Sequence, residues 1–409
     1  MNFNFILQNI KNNKIYIYAI LSFILVYFLL STELIYLLVW QIKGPGNQIL
    51  IFWDWNHVID ANLCFEKGQD VYINNVCDQL GVNFIYGKLM LFIPFLDYFE
   101  NFYRNYLPLI LTLTLILSIF KIINKNKNYT FFTLLLIFSP STLLLIERSN
   151  IDLIIFLISI IIIFSKNLKL SFFLTLLSSF FKFYPILLSL KFLFQEIKIK
   201  KKIILLFSIS IIFSLYLFLN LRELDLILDY TSKYGANGIA NFNLFSTLNY
   251  IQLKGLTYFS NLELIIFKLI IFIIFLSCSY LLTNYLKLDN LEITTLNKIN
   301  FIVPTLFTLL IFILISNWIY REIFLIFSYP FILEFKNKNI HLKFIYYFIV
   351  SKYIANFIFI FTVINFDLNR NLNGFLAVCK NFTDIFLMIL LLSLSFSILN
   401  IKKISRKGF

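Results

Sequence analysis

The chain has 409 residues, of which 60% are hydrophobic and only 14% charged, with a mean hydropathy of +0.85. Soluble domains carry roughly 25% charged residues, so this composition excludes a disordered chain, a collagen-like or disulfide-rich secreted protein, and almost any soluble enzyme. The formal net charge is +14, but the lysines stand in short runs between apolar segments, as in a polytopic membrane protein that follows the positive-inside rule, and not as in a nucleic-acid binder.

A bilayer core of about 30 Å is crossed by about 20 apolar residues in a helix. The first such stretch is 15–39. Lys11 and Lys14 precede it and no small-residue cleavage site is present, which predicts an uncleaved first span and not a removed signal peptide. The segment 40–103 follows as a long first outer loop. It opens with Phe52-Trp53-Asp54-Trp55-Asn56-His57 and Asp60. A carboxylate between two indoles is partly desolvated, which raises its pKa and suits a general base. His57, one of only two histidines, is the alternative base. The bland reading of the same stretch is an aromatic belt at the membrane interface. Cys64 and Cys77 share this loop; spacing leaves open whether they pair or stay as thiols. Phe84–Tyr98, with Pro94 near its middle, reads as an amphipathic, interfacial helix.

Spans at 104–124, 130–146 and 151–165 come next. The last two are joined with almost no loop by Glu147-Arg148-Ser149-Asn150-Ile151-Asp152. Ser149 or Asn150 as N-cap and Asp152 on the helix dipole are accounted for by local capping. Glu147 and Arg148 are not, unless as a surface pair, and polar groups at the membrane edge are costly unless paired or functional. The runs 169–181 and 184–195 are too short to span comfortably. Phe181-Lys182-Phe183-Tyr184-Pro185 lies between them. Pro185 breaks the helix, and a lone lysine at membrane depth calls for an anionic partner unless it snorkels to the interface. After a span at 203–219, residues 220–261 form a second outer loop. Spans at 262–286 and 299–316 lead to Asn317-Trp318-Ile319-Tyr320-Arg321-Glu322, where Arg321 can grip a phosphate bidentately or pair with Glu322. The short run 322–335 and spans at 343–365 and 383–401 complete the chain.

The expected fold is therefore all-α: a single integral membrane domain over 1–409 with about twelve membrane helices, several of them short or partial. Counting twelve passes places 20 of the 35 basic residues on the N-terminal side, against the acidic Glu196, Asp289, Glu292 and Glu334. That side is cytoplasmic by the positive-inside rule, so both termini are expected inside, and the four polar motifs share the outer face.

Taken together, an Asp soon after the first span, Phe84-Ile85-Tyr86 with Pro94, the turn Glu147–Asp152, the Lys182–Pro185 turn and Tyr320-Arg321 resemble polytopic GT-C glycosyltransferases, most closely glycosyltransferase family 87. The resemblance covers roughly 15–335. Family members carry Tyr-Pro-Pro where this chain has Tyr86-Gly87-Lys88, and Gly where it has Ser149. The resemblance implies a GT-C-like fold and transfer, with inversion, of a mannose-like hexose or a pentose from a polyprenyl-phosphate donor to a lipid-linked or glycan hydroxyl. It also implies a place among the lipids of a bacterial inner membrane. On this reading Asp54, Asp60 and Glu147 are the catalytic carboxylates, while His57, Arg148, Asn150, Asp152, Lys182, Tyr184, Asn317, Tyr320 and Arg321 hold substrate. No metal or cofactor beyond the lipid-linked sugar is called for if Lys and Arg stabilise the departing phosphate. The alternatives are an O-antigen-type polymerase and a secondary transporter of an anionic substrate, whose broken helices also carry charges at mid-membrane.

Overall fold

A computed structural model describes residues 3–39, 49–124, 129–234, 241–245, 261–286, 288, 291, 293–314, 318–366 and 370–400. Among them the protein is helical, with an isolated antiparallel bridge between Asn241 and Trp318. The chain forms two compact units, Met1–Tyr234 and Gly235–Phe409.

In the first unit, α1 is Phe3–Ser31, α2 Trp53–Glu66 and α3 Leu96–Ile123, with a π-helical turn at Phe102–Tyr106. Then come α4 Thr130–Ile137, α5 Pro140–Arg148, α6 Ile151–Phe164 and α7 Leu168–Phe181. A 3-10 helix, Tyr184–Leu190, follows, and α8 Ile199–Leu219 and α9 Leu221–Tyr234 close the unit. The second unit holds α10 Asn261–Thr283, α11 Thr295–Leu314, a 3-10 helix Ile319–Ser328, α12 Tyr329–Phe335, α13 Ile340–Asn365 and α14 Arg370–Asn400.

Among the described residues seven helices are long and apolar enough to cross a membrane, and α4 with α5, bent by 51° at their junction, make an eighth if counted as one span. This is an integral, multi-pass membrane protein. All twelve apolar stretches read from the sequence are helical over much of their described length, but Ile151–Phe164, Leu168–Phe181 and Tyr184–Phe194 stay shorter than a full crossing. The reason for the brevity is local. Lys182 is extended at the end of α7, and Pro185 starts the next helix, where its missing N–H costs nothing.

The segment 40–103, expected as a first outer loop, differs from expectation where it is described. Its principal helix is α2, and Phe84–Tyr98 is not one interfacial helix but extended chain, a 3-10 turn at Lys88–Leu91 and the start of α3. The aromatic rings of Phe92, Phe95, Tyr98 and Phe99 are nevertheless exposed there, where α3 enters its span, the position an interfacial belt occupies. The loop is a folded layer. Asn62 donates to the Met90 carbonyl at 2.8 Å and accepts from the Ile93 amide at 3.1 Å, and Trp55 donates to the Tyr103 carbonyl at 2.8 Å.

Cys64 and Cys77 are joined by a disulfide. Closing a loop of this size constrains the unfolded chain by about 3 kcal/mol. Cys77→Ser is therefore expected to lower thermal stability by that order, and a wild-type sample should label with maleimide at these positions only after reduction. Equal melting of the two proteins would mean that the bond contributes nothing.

The segment 220–261, expected as a second outer loop, begins as α9. Arg222 pairs with Asp70 at 2.5 Å and Lys88 with Glu223 at 3.1 Å, so the start of this loop and the 53–103 layer lie on one face of the first unit. Position 235 onward, apart from 241–245, lies outside the described residues until α10.

Candidate active site

The site is built around α5, all nine residues of which are buried. The chain leaves α5 through Ser149, whose φ of 46° is left-handed. Its amide and that of Asn150 return to the Ile146 and Leu145 carbonyls at 3.0 and 3.4 Å, the bonding of a Schellman cap. Asn150 then caps α6 by accepting from the Asp152 amide at 2.9 Å. This turn favours glycine, and the Ser149 hydroxyl is buried without a hydrogen-bond partner among the described residues. Ser149→Gly removes both penalties, and its added backbone entropy offsets only part of the gain, so it should stabilise the protein by about 1 kcal/mol without loss of activity. Ser149→Val should destabilise it; thermal melts of the two variants check the sign.

Capping does not exhaust the turn. Asn150 Nδ2 donates to Asp54 Oδ2 at 2.5 Å and to Tyr86 Oη at 3.3 Å. Lys182 Nζ donates to Asn150 Oδ1 at 2.8 Å and to Asp152 Oδ1 at 2.7 Å, and Tyr184 Oη donates to that same Asp152 oxygen at 2.6 Å. Lys182 also stands 5.1 Å from the centre of the Tyr86 ring. Asp54, Asn150, Asp152, Lys182 and Tyr184 are all buried, and the network draws them from α2, the α5–α6 turn and the break after α7. Lys182 does not snorkel; its anionic partner is Asp152.

Gly87 explains how Tyr86 reaches this place. The Gly87 amide donates to the Phe181 carbonyl at 2.9 Å, and a Cβ on Gly87 would stand 1.9 Å from the Phe180 carbonyl oxygen. Only glycine allows that approach.

Glu147 and Arg148 are not a surface pair: both are buried, and Tyr36 Oη donates to Glu147 Oε1 at 3.1 Å. Asp60 pairs with Arg104 at 2.6 Å, and Arg104 in turn with Glu100 at 2.7 Å. Burial pushes the Asp60 carboxyl up, and Arg104 compensates only in part. His57 Nδ1 lies 3.0 Å from Asp78 Oδ1, a partner that the sequence reading missed. Its only signal was a carboxylate adjoining Cys77.

In the second unit Tyr320 is buried and stacks on Trp318 with ring centres 6.5 Å apart, Arg321 is half-buried, and Asn317 lies outside the described residues. Lys182 and Arg321 belong to different units. Glu322 is not an interfacial partner of Arg321. It pairs with Lys352, which also meets Asp384 at 2.8 Å, and Lys380 meets Asp384 at 2.7 Å. All four side chains are buried. Lys380 lies within α14.

Compared with models of known protein families, with curated proteins and with solved structures, the chain matches none.

Proposed function

We propose that the protein is a GT-C-type inverting glycosyltransferase that moves a sugar from a polyprenyl-phosphate donor to an acceptor hydroxyl on the outer face of a bacterial inner membrane. One observation carries this reading: a buried network of a carboxylate (Asp54), an amide (Asn150) and an ion pair (Lys182–Asp152), assembled at turns between membrane helices where a lipid phosphate would arrive. Asp54 takes the proton of the acceptor hydroxyl as its oxygen attacks the anomeric carbon. The bond from that carbon to the phosphate oxygen breaks, and the leaving phosphate keeps the electron pair. Lys182 and Arg148 are the basic side chains that would stabilise the charge developing there. Asp152 and Tyr184 hold Lys182 in place, and Asn150 fixes Asp54. The donor's tail remains in lipid, which accounts for partial spans around the site.

The disulfide supports an outer location for the 53–103 layer, since such bonds persist in oxidising compartments, and the lysine distribution supports cytoplasmic termini. The test is transfer from a polyprenyl-phosphate sugar by purified protein, with Asp54→Asn as the inactive control.

A secondary transporter is the second reading, favoured by the buried charges Lys352, Asp384 and Lys380 in membrane helices and Glu322 in the 3-10 helix beside them. Ion-driven uptake into proteoliposomes, lost in Lys352→Met, would select it.

A further inference from the structure

His57 stands apart from the network around Asp54 and presents a different chemistry. Its imidazole is 2% exposed and lies beside the rings of Trp53, Phe84 and Tyr86, with centres 5.8, 5.9 and 6.3 Å away. Nδ1 is engaged by Asp78. Nε2 is buried with no hydrogen-bond partner among the described residues. Two other buried polar atoms on the same turn of α2, Trp53 Nε1 and Asn56 Oδ1, are also without one. Buried polar groups are rarely left in this state, and here three such atoms fall within five consecutive residues of α2, with aromatic rings beside the imidazole.

Asp78 decides which kind of group Nε2 is. Its Oδ2 accepts from the Leu80 and Val82 amides at 2.9 and 3.0 Å, while Oδ1 faces His57. Burial pushes this carboxyl up, but His57 and the two amides outweigh it and hold Asp78 below the usual range. Asp78 is therefore an anion that only accepts. His57 therefore keeps a proton on Nδ1, and in the neutral imidazole Nε2 carries the lone pair. The Cys64–Cys77 disulfide ties the residue preceding Asp78 back to α2, so the carboxylate is fixed against the helix that carries the imidazole.

We propose that His57 Nε2, with Trp53 Nε1 and Asn56 Oδ1, binds hydroxyl groups of a neutral polyhydroxyl ligand, the sugar moiety of the substrate, and that Asp78 is the positioning residue that keeps Nε2 an acceptor. The proposal rests on the glycosyltransferase reading and names the part of that site that holds the sugar as distinct from the phosphate.

The substitution Asp78→Asn is informative because its orientation is determined. The two backbone amides require an oxygen where Oδ2 stands, so the new NH2 group must face His57. It donates to Nδ1, and the imidazole proton moves to Nε2, turning the acceptor into a donor. The protein has only two histidines, His57 and His341, so 15N-histidine NMR with His341→Gln assigns both.

In the wild type the His57 Nε2 resonance is expected as an unprotonated nitrogen, and in Asp78→Asn as a protonated one. Farnesyl-phosphate mannose should shift Nε2 in the wild type, farnesyl phosphate alone should not, and the mannose-bearing probe should bind Asp78→Asn at least 10-fold more weakly. A protonated Nε2 in the wild type overturns the proposal without use of any variant. Binding of both probes with an unmoved or equally moved Nε2 also overturns it and leaves the donor reading standing. Failure of either probe to bind the wild type overturns the donor reading, and the sugar site with it.

Discussion

Asp54→Asn is expected to lower sugar transfer by about 10³-fold, the usual contribution of a positioned base, while donor affinity and melting temperature hold. The amide oxygen of the variant can still accept from Asn150 Nδ2, the contact that fixes Asp54, so the shape of the network survives. What is lost is the basicity that receives the acceptor proton. The effect should therefore appear in kcat and not in KM, measured as radiolabelled sugar transferred from a polyprenyl-phosphate donor. Full activity in the variant would move the base to another carboxylate or imidazole. Glu147 is the first candidate, because its Oε2 is buried without a partner and Asp54 lies near enough to act on it electrostatically.

Lys352→Met is expected to cost about 3–5 kcal/mol, since it leaves the fully buried Glu322 without the lysine that neutralises it. Asp384 is affected less, because Lys380 remains beside it. Adding Glu322→Gln should recover much of the loss: the remaining pair is neutral, and replacing buried ions by uncharged groups of similar size is often tolerated. Thermal unfolding of the single and double variants in detergent measures both. If the network is structural, the double variant melts near the wild type and still transfers sugar. Additive destabilisation would show that the two side chains do not act on each other.

How much of this was legible beforehand follows from the residues themselves. The membrane helices were, because apolar length is a one-dimensional property and lipid rewards it wherever the helix packs. The motif at 147–152 was legible for a second reason: polar groups between two apolar helices with almost no loop are too costly to be incidental. Lys182 advertised a need for an anion, but its neighbours in sequence are aromatic and hydroxylic, so Asp152 could not be named as the partner.

Other features left no mark along the chain. Glu322 adjoins Arg321, and proximity in sequence suggested the wrong pair; the true partner, Lys352, comes from α13. Asp78 follows a cysteine in a polar loop and looked like any solvated carboxylate, yet it binds His57 across 21 residues of chain. Nothing beside Gly87 in sequence announces the Phe180 carbonyl that stands against it.

The sequence by itself determined the solvent: apolar stretches of this length and number are stable only in a bilayer, and the transfer free energy that dictates this is a sum over residues, independent of their arrangement. It also determined that the helix breaks at Pro185, whose ring acts through local backbone sterics, whereas the left-handed turn at Ser149 is held against serine's own preference. Only the tertiary structure decided which charges meet. A buried ion pair forms where desolvation leaves no alternative, and which groups are desolvated together depends on the packing of α2, α5, α6 and the end of α7 against one another. That packing turns Asp54, Asn150, Asp152, Lys182 and Tyr184, spread over 130 positions of chain, into one hydrogen-bonded site.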